Sequence, residues 1–245
     1  MHLRAQVPNL ITAANAVSGL LAILAVFQNR YEWALVFFLL GLFADFLDGW
    51  IARFLGVTSD LGVQLDSLAD MVTSGVLPGL LVYQLMRSQS PLVWELASFF
   101  SEGEGGISLS QVGWVGILLP LGAAFRLARF NLDTDQKHYF KGLATPACAL
   151  FFLGYPLLLQ SPQLTPLKRM LSQPEVLTFW VVFFVFLMNS PLRMFKVKWL
   201  TWYDRIYLLG LILGSLLLFT FFGYGGFSLC ILLYILLCLV RNVTV

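Results

Sequence analysis

Apolar stretches about twenty residues long recur along almost the whole chain, and they constrain its fold more than any other feature. Hydrophobic residues make up 59% of the sequence and charged residues only 11%, whereas an ordinary soluble domain carries about 25% charged residues. Because a helix needs about 20 apolar residues to cross a bilayer, the pattern predicts an all-α, polytopic transmembrane bundle. Eight helices are expected, near residues 9–28, 33–54, 61–86, 112–131, 142–160, 177–195, 206–223 and 226–240.

The two ends of the chain differ in their polar content. The first apolar run contains Pro8, Asn9 and several hydroxyl and amide residues, so we expect it to be retained as a helix rather than cleaved as a signal peptide. Between Ile206 and Val240 the sequence has no Asp, Glu, Lys, Arg or His. We therefore expect residues 199–245 to form a transmembrane hairpin packed on a larger membrane domain, residues 1–198.

The positions of the positive charges predict how the bundle is oriented. With a cytoplasmic N-terminus, all but four of the 15 Lys and Arg residues fall on the inner side, as the positive-inside rule requires. This favours an integral membrane protein with cytoplasmic termini. No basic block suggests nucleic-acid binding, and the three cysteines show no metal-binding spacing.

Four aspartates within or beside the second and third predicted helices need a common explanation. One carboxylate near the bilayer centre costs about 2.5–3.5 kcal/mol on insertion scales. Asp45 and Asp48 are spaced i,i+3, and Asp66 and Asp70 are spaced i,i+4, so each pair shares one helix face. With a short turn between antiparallel helices the acids converge, and an all-oxygen ligand set favours a hard divalent cation such as Mg²⁺, Mn²⁺ or Ca²⁺.

Residues around the acids suggest how a ligand approaches. Gly49, Ala52 and Gly62 allow a helix backbone or a phosphate to come close, and Arg53 supplies a positive charge at the mouth. On the first helix, Thr12 and Asn15 have two interpretations. They either form capping and interhelical hydrogen bonds or line a nucleotide pocket.

The acids and their neighbours form a spaced motif, Asp45-x2-Asp48-Gly49-x2-Ala52-Arg53-x8-Gly62-x3-Asp66-x3-Asp70. In all eight fixed positions it resembles the signature of the CDP-alcohol phosphatidyltransferase family, integral-membrane enzymes of phospholipid synthesis with a six-helix catalytic core. This resemblance implies two divalent cations, Mg²⁺ or Mn²⁺, held by the aspartates. It further implies a CDP-linked lipid gripped through its diphosphate, the last aspartate as the base, and a homodimer in the membrane.

A second polar stretch ends the fourth predicted helix. Arg126 and Arg129 are spaced i,i+3, and Asn131 follows them. The arginines either anchor the helix at the membrane surface or bind a phosphate or carboxylate through the guanidinium group. We treat all three residues as candidate acceptor-binding residues.

Flanking sequences narrow the resemblance to the serine-using branch of the family, the membrane-type phosphatidylserine synthases. They are PNLITAANAVSG, LDSLADMVTSGVLP, RLARFN and FKGLATPA. This likeness implies CDP-diacylglycerol and L-serine as substrates and the prokaryotic cytoplasmic membrane as the location. In this scheme Asp45, Asp48 and Asp66 bind metal, and Asp70 takes the hydroxyl proton, with a possible metal contact of its own.

Two rival functions remain at this point. The first rival keeps the chemistry of the family but uses glycerol 3-phosphate, inositol phosphate or an aminoalcohol as the acceptor instead of serine. Outside it, intramembrane acids also mark cation transporters. A transporter predicts acids spread through the membrane depth, whereas here they are confined to one end of two neighbouring helices beside Arg53, which repels a permeating cation.

Overall fold

The computed structural model describes residues 3–57, 59–89, 113–132, 140–194 and 202–244, and these residues are largely helical. We number the helices α1 (Leu3–Phe27), α2 (Tyr31–Leu55), α3 (Asp60–Asp70), α4 (Leu77–Gln89), α5 (Leu118–Leu132), α6 (Thr145–Leu159), α7 (Lys168–Leu171), α8 (Pro174–Asn189), α9 (Trp202–Phe222) and α10 (Gly226–Thr244). Two short strands, β1 (Phe140–Lys141) and β2 (Arg193–Met194), pair antiparallel. The prediction of an all-α membrane bundle is confirmed, with this small ladder as an addition.

Five segments of the described chain are long and apolar enough to cross a membrane. They are Gln6–Phe27, Tyr31–Leu55, Asp60–Arg87, Trp114–Leu132 and Arg205–Asn242, the last of which includes both α9 and α10. The apolar helices α6 and α8 are shorter. Each of the eight predicted helices is present, although their ends differ by a few residues. The connection expected between the third and fourth predicted helices, residues 87–111, lies almost wholly outside the described residues.

A π-helical turn, Met71–Val76, joins α3 to α4 where the sequence predicts one regular helix. The hydroxyl of Thr73 donates to the carbonyl of Ala69 at 3.0 Å inside this turn, and such side-chain bonding accompanies bent helices. A π-turn is frequently found at functional sites. Here it follows Asp70 directly.

The core of the bundle is centred on α6, which is buried over most of its length. Phe151 stacks on Phe184 of α8 with ring centroids 4.3 Å apart. In contrast, many apolar side chains of α9 are exposed, among them Leu209 and Leu216. Outward-facing apolar residues of this kind suit contact with lipid.

The C-terminal hairpin meets the rest of the bundle through α10 and the turn before it. The hydroxyl of Ser228 donates to the carbonyl of Phe151 at 2.6 Å. A Cβ at Gly154 would lie 2.7 Å from that hydroxyl oxygen, and one at Gly225 would lie 2.5 Å from Cα of Leu158. Small residues therefore allow the hairpin to pack closely on α6.

Candidate active site

Three carboxylates converge at the facing ends of α2 and α3. One oxygen each of Asp45, Asp48 and Asp66 lies within 4.8 Å of the others. Asp48 is 5% exposed, and a side-chain oxygen of Asp66 is buried without a hydrogen-bond partner among the described residues. We call these three residues the acidic triad. Its oxygens are close enough to share one cation, and the bare Asp66 oxygen is free to contact it.

The connection between α2 and α3 fixes the geometry of the acidic triad. Gly56 ends α2 in the left-handed conformation, with φ of 64°, which glycine adopts without the steric penalty of a side chain. Ser59 caps α3, because its hydroxyl accepts a hydrogen bond from the backbone N–H of Gly62 at 3.1 Å. The predicted short turn between antiparallel helices is thus present, with a helix cap that the sequence analysis did not single out.

A groove of about 200 Å³ opens beside the acidic triad. Its lining consists of Pro8, Asn9, Thr12, Asp48, Gly49, Ala52, Arg53, Val57, Ser59, Gly62, Val63 and Asp66. Six residues around the acids were predicted to bind the CDP-linked lipid, and five of them line the groove: Thr12, Gly49, Ala52, Arg53 and Gly62. The sixth, Asn15, does not line the groove. Pro8, Asn9 and Ser59 also line the groove, although the sequence analysis did not predict them. Pro8 and Asn9 begin the PNLIT sequence, and the polar residues of that sequence could have identified them.

Two glycines keep this groove open. A Cβ at Gly49 would lie 3.4 Å from Nη1 of Arg53, and a Cβ at Gly62 would lie 3.4 Å from Oδ1 of Asn9. Substituents here would therefore crowd the polar atoms of the lining. Thr12 closes the inner side, since its hydroxyl donates a hydrogen bond to the Asp48 carboxylate.

Asp70 lies outside the 4.8 Å set formed by the acidic triad. Its carboxyl faces the Asn15 amide and interacts electrostatically with Asp66 and Arg126. Asn15 is 1% exposed. Asp70 therefore lies apart from the three acids predicted to bind metal, and Asn15 lies outside the groove.

The three candidate acceptor-binding residues have different surroundings. Arg126 is 8% exposed, and its Nη1 donates to the hydroxyl of Thr145 at 3.3 Å. Arg129 is exposed. Asn131 donates from Nδ2 to the hydroxyl of Ser67 at 2.8 Å, which connects α5 to the residue after Asp66. Of these three residues, Arg126 is the one that interacts electrostatically with Asp70.

Comparison with known proteins gives consistent matches. The family model described as CDP-alcohol phosphatidyltransferase matches residues 5–188. Among curated proteins, the CDP-diacylglycerol–serine O-phosphatidyltransferase of Bacillus subtilis is 33% identical over 144 residues, which cover 57% of this chain and 69% of that protein. Proteins of the same name from Mycobacterium leprae and Methanocaldococcus jannaschii are each 32% identical, over 60% and 62% of this chain. The matched stretches span 45% and 60% of those two relatives.

Proposed function

The chain belongs to the CDP-alcohol phosphatidyltransferase family, and on that basis we propose that it transfers the phosphatidyl group of CDP-diacylglycerol to the hydroxyl of L-serine. The products are phosphatidylserine and CMP. The observation that carries the proposal is the convergence of the three carboxylates beside a groove lined by Thr12, Gly49 and Arg53. Serine as the acceptor rests on the names of the relatives.

The acidic triad fits a divalent cation. Its donors are all carboxylate oxygens within 4.8 Å of one another, one of them buried and without a hydrogen bond, and this chemistry suits Mg²⁺ or Mn²⁺. Asp45, Asp48 and Asp66 would hold the metal, and we propose two ions per subunit, as the family resemblance implies. Such ions neutralise the charge of the diphosphate and of the departing CMP.

The groove beside the acidic triad suits the nucleotide end of the substrate. Arg53 supplies positive charge for a phosphate, and the glycines at 49 and 62 leave space that side chains would occupy. Thr12 restrains Asp48 through its hydrogen bond. These residues bind and orient the diphosphate, so that the phosphorus that carries the lipid faces the Asp70 side of the site.

The transfer itself is a displacement at phosphorus. The hydroxyl oxygen of serine forms a bond to the lipid-bearing phosphorus, while the bond from that phosphorus to the bridging oxygen breaks and CMP leaves. Asp70 accepts the hydroxyl proton as the new bond forms. A positioned general base contributes about 10²–10⁴-fold to such a reaction. Asp70 is half-buried, which limits its contact with bulk water, a nucleophile that competes with serine.

The proposal also covers the orientation of the protein in the membrane and its assembly. We propose that the site faces the cytoplasm, because the charge distribution favours an α2–α3 turn on the inner side, and that water-soluble serine and CMP exchange there. The protein works as a homodimer among membrane lipids, with residues 1–198 as the catalytic domain and residues 199–245 as an added hairpin.

The acceptor is tested directly with the purified protein. CDP-diacylglycerol is incubated in Mn²⁺ or Mg²⁺ with labelled serine, glycerol 3-phosphate, inositol phosphate and ethanolamine in parallel, and the lipid products are separated. We expect serine to be the preferred acceptor by at least tenfold in kcat/KM. A preference for a phosphorylated alcohol would keep the family chemistry and overturn the choice of serine.

A further inference from the structure

A second groove, of about 420 Å³, lies where α1 connects to α2. Its lining includes Arg30, at the start of α2, whereas Asp48 of the acidic triad lies toward the other end of that helix. The two residues are 18 positions apart, or roughly 27 Å along the helix. This groove, which we call the α1–α2 groove, is therefore separate from the active site and lies near the opposite membrane face.

The lining of the α1–α2 groove changes from apolar to polar toward the connection between the helices. Leu21 and Leu24 lie two turns and one turn before Gln28 on the α1 side, and Phe37 lies one turn after Trp33 on α2. From Leu21 to Gln28 the groove extends over roughly 10 Å. A polar mouth above an apolar channel of this length matches an amphiphile whose chain points into the membrane.

The mouth of the α1–α2 groove carries a positive charge at the level of the lipid headgroups. Arg30 is the one charged residue among the described residues that line it, and its side chain is exposed. The acid nearest in sequence, Glu32, is exposed as well but does not line the groove. Trp33 is 54% exposed, and tryptophan is enriched at membrane–water interfaces. A guanidinium group at this depth suits a lipid phosphate.

Hydrogen bonds hold the connection in place, so the mouth of the groove has a defined shape. Asn29 has φ of 56°, a left-handed conformation that asparagine adopts more readily than most residues. Its Oδ1 accepts hydrogen bonds from the Tyr31 hydroxyl at 3.0 Å and from Nε2 of Gln84 on α4 at 3.3 Å. The backbone N–H of Arg30 donates to the carbonyl of Ala25 at 2.9 Å. The backbone of Arg30 is thus fixed before any ligand binds.

We propose that the α1–α2 groove binds one anionic phospholipid from the membrane leaflet farther from the acidic triad. The lipid phosphate contacts Arg30, and one acyl chain lies along the apolar lining beside Trp33. The bound lipid packs between α1 and α2 and stabilises their pairing. This inference goes beyond the proposed function and does not depend on it, because the ligand is neither substrate nor product at this position.

The test uses quenching of tryptophan fluorescence by lipids that carry bromine on their acyl chains. The purified protein in nonionic detergent is titrated with brominated phosphatidylglycerol or with brominated diacylglycerol, which lacks the phosphate. Because the chain has seven tryptophans, the Trp33 signal is the difference between each protein and its Trp33→Phe counterpart. We expect half-maximal quenching by phosphatidylglycerol at roughly a three- to fivefold lower mole fraction than by diacylglycerol.

Matched variants separate a site at Arg30 from a general attraction of anionic lipid. Arg30→Gln removes the charge and is expected to abolish the difference between the two lipids, whereas Arg30→Lys keeps the charge and most of the difference. Arg87→Gln is the control, because Arg87 is exposed near the end of α4, one turn after Gln84, and does not line the groove. It is expected to leave the difference unchanged. If Arg30→Gln does not fold, Arg30→Ala provides the same comparison.

Three results would overturn the inference. The first is equal quenching by both lipids in the wild-type protein, which indicates that Trp33 meets only unselected lipid. The second is an equal loss of the preference in Arg87→Gln and Arg30→Gln, which indicates long-range attraction to the surface. The third is relief of the quenching by inorganic phosphate alone, which indicates a site for the free ion rather than for a lipid.

Discussion

Asp48 is the most deeply buried acid of the triad, and its surroundings explain why its charge matters. It is 5% exposed, it accepts a hydrogen bond from Thr12, and it lies next to Asp45 and Asp66. Three carboxylates held this close repel one another. A bound divalent cation would attract all three carboxylates and offset this repulsion, so we propose that the charge of Asp48 serves metal binding rather than packing.

The Asp48→Asn variant tests this directly. An amide keeps the shape and still accepts the hydrogen bond from Thr12, but it lacks the charge that binds the cation. We expect CMP release to fall by roughly a hundredfold or more and Mn²⁺ binding, measured by calorimetry, to weaken in parallel. Asp60→Asn is the matched control, because Asp60 is exposed at the start of α3. Full Mn²⁺ affinity in Asp48→Asn would contradict the metal assignment.

Asp70 is expected to behave differently from Asp48 because it lies outside the triad. In Asp70→Asn the proton acceptor is lost, so kcat should fall about 10²–10⁴-fold. Binding of CDP with Mn²⁺, followed by calorimetry, should be largely retained. A loss of nucleotide binding as complete as that in Asp48→Asn would show that Asp70 is chiefly a metal ligand.

At the scale of elements, the segment before α6 determines where Thr145 lies. Gly142 has φ of 75°, its backbone N–H donates to the carbonyl of Leu192 at 2.8 Å, and a Cβ there would lie 2.3 Å from the carbonyl oxygen of Met188. The segment is thus held against the end of α8 by a contact that only glycine permits.

Replacing Gly142 tests this contact. Gly142→Ala combines a left-handed backbone penalty of about 1–2 kcal/mol with a steric clash, so we expect a lower Tm. The control is Gly210→Ala on α9, where a Cβ would have nothing within 4 Å, and its Tm should be equal or higher. An unchanged Tm in Gly142→Ala would show that the segment adjusts freely.

Helices were predicted well from the sequence, whereas details of the site were not. Apolar stretches and spaced aspartates are local patterns, so they predict the eight helices and a convergence of acids. The sequence predicted that all four aspartates converge, whereas the structure brings three of them within 4.8 Å of one another. The π-turn after Asp70 could not be predicted from the pattern of apolar residues, because that pattern fits a regular helix equally well. The contact between Arg126 and Thr145 depends on how α5 and α6 pack, and the spacing of Arg126 and Arg129 gave no reason to separate a buried arginine from an exposed one.

At the scale of the whole molecule, the proposed exchange of serine and CMP with the cytoplasm requires the site to lie on the inner membrane face. The α2–α3 turn and the α6–α8 connection are predicted on opposite faces. In a chain whose three cysteines are replaced by alanine, single cysteines are introduced as Asp60→Cys and Gln163→Cys, both at exposed positions. In intact cells, a membrane-impermeant maleimide should label only the second. Labelling of the first alone would place the acidic triad on the outer face.

Phosphatidyl transfer to serine is the central claim, and ³¹P NMR of the purified protein in detergent tests it most directly. With CDP-diacylglycerol, serine and Mg²⁺, the diphosphate signals should disappear while phosphatidylserine and CMP appear in equal amounts. Omitting serine or chelating the cation should stop the reaction. Diphosphate signals that persist under all conditions, or that give phosphatidic acid and CMP without any need for serine, would contradict the account.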